Sequence, residues 1–181
     1  MSAIEYGSDT VLVCDEVHGY TMERTVVNIG TVLCSVNKSV WASAVALYRS
    51  YDAREHRMLT GYATGGSVAL ALAVMVANGT GTLLDICSFG APPVGDAAFV
   101  QEATCIRHIR VKLAEDIIGE QGLGLRHDCA PVVIGEMSPF CGEVLASRAC
   151  CMLGYITPPM YHVTYFGGIR RSLDQSAWID I

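Results

Sequence analysis

The stretch Gly61-Tyr62-Ala63-Thr64-Gly65-Gly66-Ser67-Val68, GYATGGSV, decides how this chain is read. It stands between a short strand-like run, Arg57 to Tyr62, and a segment from Thr64 to Asn78 that is almost wholly apolar after Ser67. A helix that is apolar all round is buried on most of its sides. The pair Asn78-Gly79 is expected to stop it. Glycines on both sides of a strand-to-helix turn let the two elements approach closely around one strained residue. In a G-x-S-x-G turn that residue holds its side chain above the sheet, and the next amide points with the helix N-terminus toward a developing oxyanion. Here the central residue is Ala63, which has no nucleophilic atom, and the next amide belongs to Thr64. Taken alone, the hexapeptide also fits a simple tight connection or a phosphate-binding loop. The Lys-Ser/Thr pair of a P-loop is missing.

Outward from this turn, strand-like and helix-like segments alternate. Thr10 to Cys14 reads as a strand. Thr25 to Val36 is rich in β-branched residues, and periodicity leaves strand or short helix open. Ser39 to Tyr51 has helical spacing, Thr82 to Ser88 reads as a strand, and Phe89 to Asp96 is a Pro/Gly loop. Ile106 to Leu113 alternates as a strand does. Ala130 to Ile134 and Glu143 to Ala146 are further candidate strands, joined as a hairpin through Ser138-Pro139. Tyr155 to Ile181 is mixed. Strand-helix-strand alternation favours an α/β fold, a mostly parallel central sheet flanked by helices, in a single domain over 1–181. In such sheets reactive groups sit on loops at the carboxyl ends of the strands.

Composition narrows the function classes. The chain has 181 residues, 51 % hydrophobic and 17 % charged, with a formal net charge of −6. It has no basic block, which argues against nucleic acid and against a polybasic hold on membranes. The longest apolar run, Val68 to Ala77, is too short for a transmembrane segment. No signal peptide is expected at the N-terminus. The compartment stays open between a cytoplasmic and a virion-associated setting, and a homo-oligomer is left open. Of eight cysteines, Cys14, Cys34 and Cys87 fall in apolar runs and read as small hydrophobes. Cys141, Cys150 and Cys151 leave a disulfide or a thiol cluster open. His127, Asp128 and Cys129 adjoin one another without a second cluster at ligand spacing. No metal and no cofactor are therefore expected. His18, His56 and His108 read as ordinary histidines.

The turn, its helix and the segment LLDICSFGAPPVGDAAFV together resemble the heart of the class 3 lipases, an α/β-hydrolase family. That family shows a GHSLGGA-type elbow followed by a strand ending in FG-x-P-x-x-G-(N/D)-x-x-F. Phe89, Gly90, Pro92, Gly95, Asp96 and Phe99 stand at matching positions. The resemblance implies a serine ester hydrolase acting on acylglycerol, phospholipid or a small acyl ester, with no cofactor. It matches Asp116 to the triad aspartate, in the loop after the IRHIRV strand. It matches His162, between Tyr161 and Tyr165, to the triad histidine. It puts Tyr20 and Thr64 at the oxyanion hole, and Thr21 to Leu33 at the lid. Tyr62 replaces the family's histidine, Thr64 its leucine, and the Val-Pro of the aspartate loop is lost. The N-terminal helix and first strands of the family are expected to be missing.

Ala63 leaves three readings. The residue replaces a natural serine in an engineered knock-out, and retained Asp116 and His162 favour this. Or alanine is native, and the domain is a pseudo-lipase that binds lipid or serves as an interaction module. Or the resemblance misleads, and the chain is an unrelated α/β protein.

Overall fold

The computed structural model describes residues 2–6, 9–14, 17, 19–52, 56–114, 116 and 124–134. The expected strand at Glu143 to Ala146, the Ser138-Pro139 turn, the Tyr155 to Ile181 segment and Cys141, Cys150 and Cys151 lie outside them.

Among the described residues, eleven elements follow in chain order: β1 (Ser2–Tyr6), β2 (Asp9–Cys14), β3 (Arg24–Ile29), β4 (Val32–Asn37), α1 (Lys38–Tyr48), β5 (Met58–Tyr62), α2 (Thr64–Thr80), β6 (Asp85–Phe89), α3 (Ala97–Ala103), β7 (Arg107–Leu113) and β8 (Pro131–Ile134). Six of these strands form one sheet in the order β1-β2-β5-β6-β7-β8. Its first pair is antiparallel, with Ser2 opposite Val13. From β2 to β8 every neighbour is parallel. This is the α/β architecture expected from the alternation of segments.

The physical reason is burial. Helix α2 buries nearly every residue from Gly65 to Val76. It packs on β2, β5 and β6 and against α1. Leu59 and Ile86 of the sheet, Leu72 and Val76 of α2 and Val40 of α1 are essentially inaccessible to solvent. Each such side chain contributes about 1.5–3 kcal/mol relative to exposure.

The structure corrects the sequence reading at three places. Strand β1 lies ahead of β2, where no strand was expected. Its five residues carry little apolar pattern, and pairing with β2 supplies the stability. Helix α2 does not stop at Asn78-Gly79. It runs to Thr80, and the left-handed residue is Gly81, whose N–H donates to the Ala77 carbonyl at 2.9 Å. Gly79 stays helical, and the Tyr48 hydroxyl packs against its Cα. The undecided stretch Thr25 to Val36 is a hairpin, with β3 antiparallel to β4. Ile29, Cys34 and Val36 face the core, while Val26 and Leu33 are each 66 % exposed on the outer face. Thr21 to Leu33, the segment that the resemblance matched to a lid, thus covers the loop before β3, β3, the turn and the first two residues of β4.

The β6–α3 loop is tied to this hairpin. Asp96 caps α3 by accepting from the Phe99 amide at 3.0 Å, and its other oxygen accepts from the Ser35 amide at 2.9 Å. Asn37 likewise caps α1, accepting from the Val40 amide at 3.0 Å. Among the described residues no helix is long and apolar enough to cross a membrane.

Candidate active site at the elbow

Strand β5 ends at Tyr62, and the amide of Ala63 still donates to the Phe89 carbonyl of β6 at 2.8 Å. The backbone then turns sharply. Ala63 has φ 47° and ψ −126°, and it is the only non-glycine residue with positive φ among the described residues. A side chain held in such a conformation costs about 1–3 kcal/mol and persists only where its surroundings impose it. They do so here. A Cβ on Gly61 would overlap the backbone of Gly65, and a Cβ on Gly66 would lie 2.8 Å from the Cβ atoms of both Ser88 and Ala91. Strand and helix therefore meet at backbone distance, and residue 63 takes up the bend. Ser67 Oγ donates to the Pro92 carbonyl at 2.6 Å and pins the first turn of α2 to the loop after β6.

No side chain caps α2 at Ala63. Its N-terminal turn, with the Thr64 amide, carries the positive end of the helix dipole at this rim. The loop after β2 closes over it. The Val17 amide donates to Thr64 Oγ1 at 2.8 Å. Tyr20 lies farther along the same loop, half-buried against the core, and burial pushes its phenol pKa up. Sequence reasoning named Thr64 and Tyr20 but missed Val17. Its only signal was its place just past the end of β2.

Asp116 follows the carboxyl end of β7 by three residues. It is buried, and its amide donates to the Leu113 carbonyl at 3.0 Å. Strands β2, β5, β6 and β7 are parallel, so Val17, Ala63 and Asp116 all follow the same edge of the sheet. His162 lies outside the described residues.

A second group of polar side chains sits lower in the sheet. Ser88 Oγ and His108 Nε2 are 2.7 Å apart, and His108 Nδ1 is 2.7 Å from Asp128 Oδ2. Cys129 Sγ approaches the His108 carbonyl at 3.5 Å. Burial alone would lower the His108 pKa. Hydrogen bonds and charge from Asp128 and Cys129 outweigh it and raise the imidazole to about 9. Burial would raise Asp128, but the bond and charge of His108 hold it below the usual carboxylate range. Sequence reading took His108 as ordinary and saw only the local run His127-Asp128-Cys129. Ser88 points into this group and is fully buried. Burial pushes the thiol pKa of Cys87 up.

A cleft of about 660 Å³ lies between Tyr48, Arg49, Tyr51, Val76 and Thr80. It adjoins the C-terminal end of α2, a helix length of about 20 Å from the elbow, and is separate from the site.

A family model described as lipase (class 3) matches residues 7–121. No curated protein matches the chain in sequence. Among solved structures, a lipase from Rhizopus microsporus var. chinensis is similar at 22 % identity and TM-score 0.55, covering 65 % of this chain and 48 % of that one. The native Rhizomucor miehei lipase propeptide complex is similar at 23 % identity and TM-score 0.51, covering 65 % and 44 %. A mutant form of MDLA from Penicillium cyclopium is similar at 18 % identity and TM-score 0.53, covering 65 % and 49 %. The chain thus spans about half the length of these structures. At such identities the likeness is one of fold.

Proposed function

The chain belongs to the class 3 lipase family, and on that premise we propose that its elbow is an acyl-ester site lacking only the nucleophile. The site receives a lipid or small acyl ester and, with alanine at 63, does not turn it over efficiently. The observation that carries this reading is the strained backbone of Ala63. A methyl group gains nothing from that conformation, whereas a serine hydroxyl there stands clear of the sheet for attack on a carbonyl. In the restored site His162 is the general base, Asp116 orients it, and amides of Thr64 and the β2 loop, with Tyr20, stabilise the oxyanion. The exposed apolar face of Val26 and Leu33 supports a lipidic rather than a highly polar substrate.

The test is Ala63→Ser assayed on a short-chain p-nitrophenyl ester. Turnover should appear with serine and vanish in Ala63→Ser combined with His162→Ala. A folded Ala63→Ser protein without turnover sinks the proposal.

A second reading has its own support. Thr64 Oγ1 accepts the Val17 N–H, so one amide beside the elbow already has a partner. A native pseudo-lipase that binds lipid without catalysis has no need of that donor. In that case restoring serine yields nothing, while lipid binding persists.

A further inference from the structure

His108, Asp128 and Cys129 bring a nitrogen, an oxygen and a sulfur ligand within 4.8 Å of one another. The His108 and Asp128 side chains are only 2 % and 5 % exposed. The sheet itself assembles the group. His108 is the second residue of β7, and Asp128 and Cys129 immediately precede the parallel neighbour β8, so both reach the same, amino-terminal end. That end lies about 15 Å along the strand from the rim that carries Asp116, at ~3.3 Å per residue. The three ligands therefore lie toward the opposite end of the strands from Asp116, and Ser88, opposite Gly61 and packed beside Gly66, stands between them and the elbow.

Two further observations point to a cation. The other oxygen of the carboxylate, Asp128 Oδ1, is buried and lacks a hydrogen-bond partner among the described residues. A buried carboxylate oxygen left unsatisfied is costly and calls for a compensating partner. Ser88 Oγ, in turn, sits at Nε2 of His108. Accepting from Nε2–H, it fixes the ring so that Nδ1, which now donates its proton to Asp128, faces Asp128 and Cys129. Metal-bound histidines are held in this way by a partner on the far ring nitrogen.

We propose that His108, Asp128 and Cys129 form a zinc site that fastens β8 to β7. The thiol rules out magnesium and calcium, and the mixed nitrogen, oxygen and sulfur set suits a tetrahedral zinc with water in the fourth position. On binding, Cys129 releases its thiol proton and His108 its Nδ1 proton to solvent, and the metal takes Nδ1 of His108, Sγ of Cys129 and Oδ1 of Asp128, the oxygen that lacks a partner among the described residues. Zinc, carboxylate and thiolate together are then neutral. Ligand atoms of a tetrahedral zinc stand about 3.3 Å apart. The His108–Asp128 pair must therefore open from its present 2.7 Å.

The whole chain, stripped of metal, is titrated with cobalt(II) and then with zinc. The expected result is one cobalt per chain, a thiolate-to-cobalt charge-transfer band in the near ultraviolet, its loss on adding zinc, and a higher Tm with zinc. Cys129→Ser should abolish the band. Ser88→Ala should keep it but weaken binding about 10- to 100-fold. Absence of the band in the folded wild type overturns the proposal. So does a band that survives Cys129→Ser, since another of the eight cysteines would then be the ligand. If Cys129→Ser does not fold, Asp128→Asn decides, because unchanged cobalt affinity in that near-isosteric variant also overturns it.

Discussion

The backbone amide of Val17 donates to the hydroxyl of Thr64 at 2.8 Å, joining the loop after β2 to the first residue of α2. In α/β-hydrolase elbows the oxyanion meets the amide after the nucleophile and one from a neighbouring strand-to-helix loop. Among the described residues of that loop, Val17 is the one bonded to the elbow, and the Thr64 hydroxyl holds its N–H. In an Ala63→Ser background, Thr64→Val removes the acceptor while keeping the shape of the side chain. One oxyanion donor carries about 10²–10³ in kcat, so ester turnover should rise at least about tenfold over Ala63→Ser alone. Stability should fall by about 1–3 kcal/mol, because the amide loses its partner in the empty site. Lower stability with an unchanged rate would remove Val17 from the oxyanion hole.

Strain at residue 63 predicts a gain on substitution by glycine. Ala63→Gly relieves a positive φ that costs about 1–3 kcal/mol. It adds unfolded-chain entropy worth about 0.4–1 kcal/mol. The net expectation is stabilisation of about 1 kcal/mol, read from the urea midpoint at unchanged m-value. A lower midpoint would mean that the turn is not strained.

The two glycines beside the elbow should differ in cost. A methyl on Gly61 meets the Gly65 backbone, which has nowhere to move. A methyl on Gly66 meets the Cβ atoms of Ser88 and Ala91 at 2.8 Å and the Gly61 carbonyl at 3.0 Å, so the loop after β6 must shift to admit it, but the overlap is smaller than at Gly61. Gly66→Ala should cost about 1–3 kcal/mol, as other overpacked sites do. Gly61→Ala should cost more, or prevent folding. Equal denaturation midpoints for the two variants would contradict the tight approach at Gly61.

Tyr51 provides a pH signature away from the site. Burial, then the charges of Cys14 and Asp52, push its pKa up to about 12, and its O–H donates to the His56 carbonyl at 2.8 Å. A raised pKa means that the folded state keeps the proton longer than the unfolded chain. The associated stability is complete below about pH 10, the unfolded value. It is lost as pH rises toward 12. Wild type should therefore exceed Tyr51→Phe in stability at pH 8, and the gap should shrink between pH 10 and 12. A gap that stays constant with pH would show that Tyr51 titrates alike in both states.

Much of this molecule is legible along the chain because it is built from local chemistry. Gly61, Gly65 and Gly66 around residue 63, an apolar run long enough for a buried helix, and alternating strand segments specify the turn, α2 and the parallel sheet with no knowledge of contacts. The same is true of Thr64, whose place follows from the turn alone. The end of α2 shows the limit of such reading. Gly79 and Gly81 look equally fit to stop a helix, and the choice falls to Gly81 because the Tyr48 hydroxyl of another helix rests against Gly79.

Tertiary structure alone brought Val17 to Thr64, and Ser88 and His108 to the adjacent pair Asp128-Cys129. Parallel strands place side by side residues separated by a whole helix or loop, and no periodicity records which residue will be the neighbour. Backbone torsion and helix burial are written into nearby residues. The partners of a buried polar atom are set only once the sheet has aligned its strands.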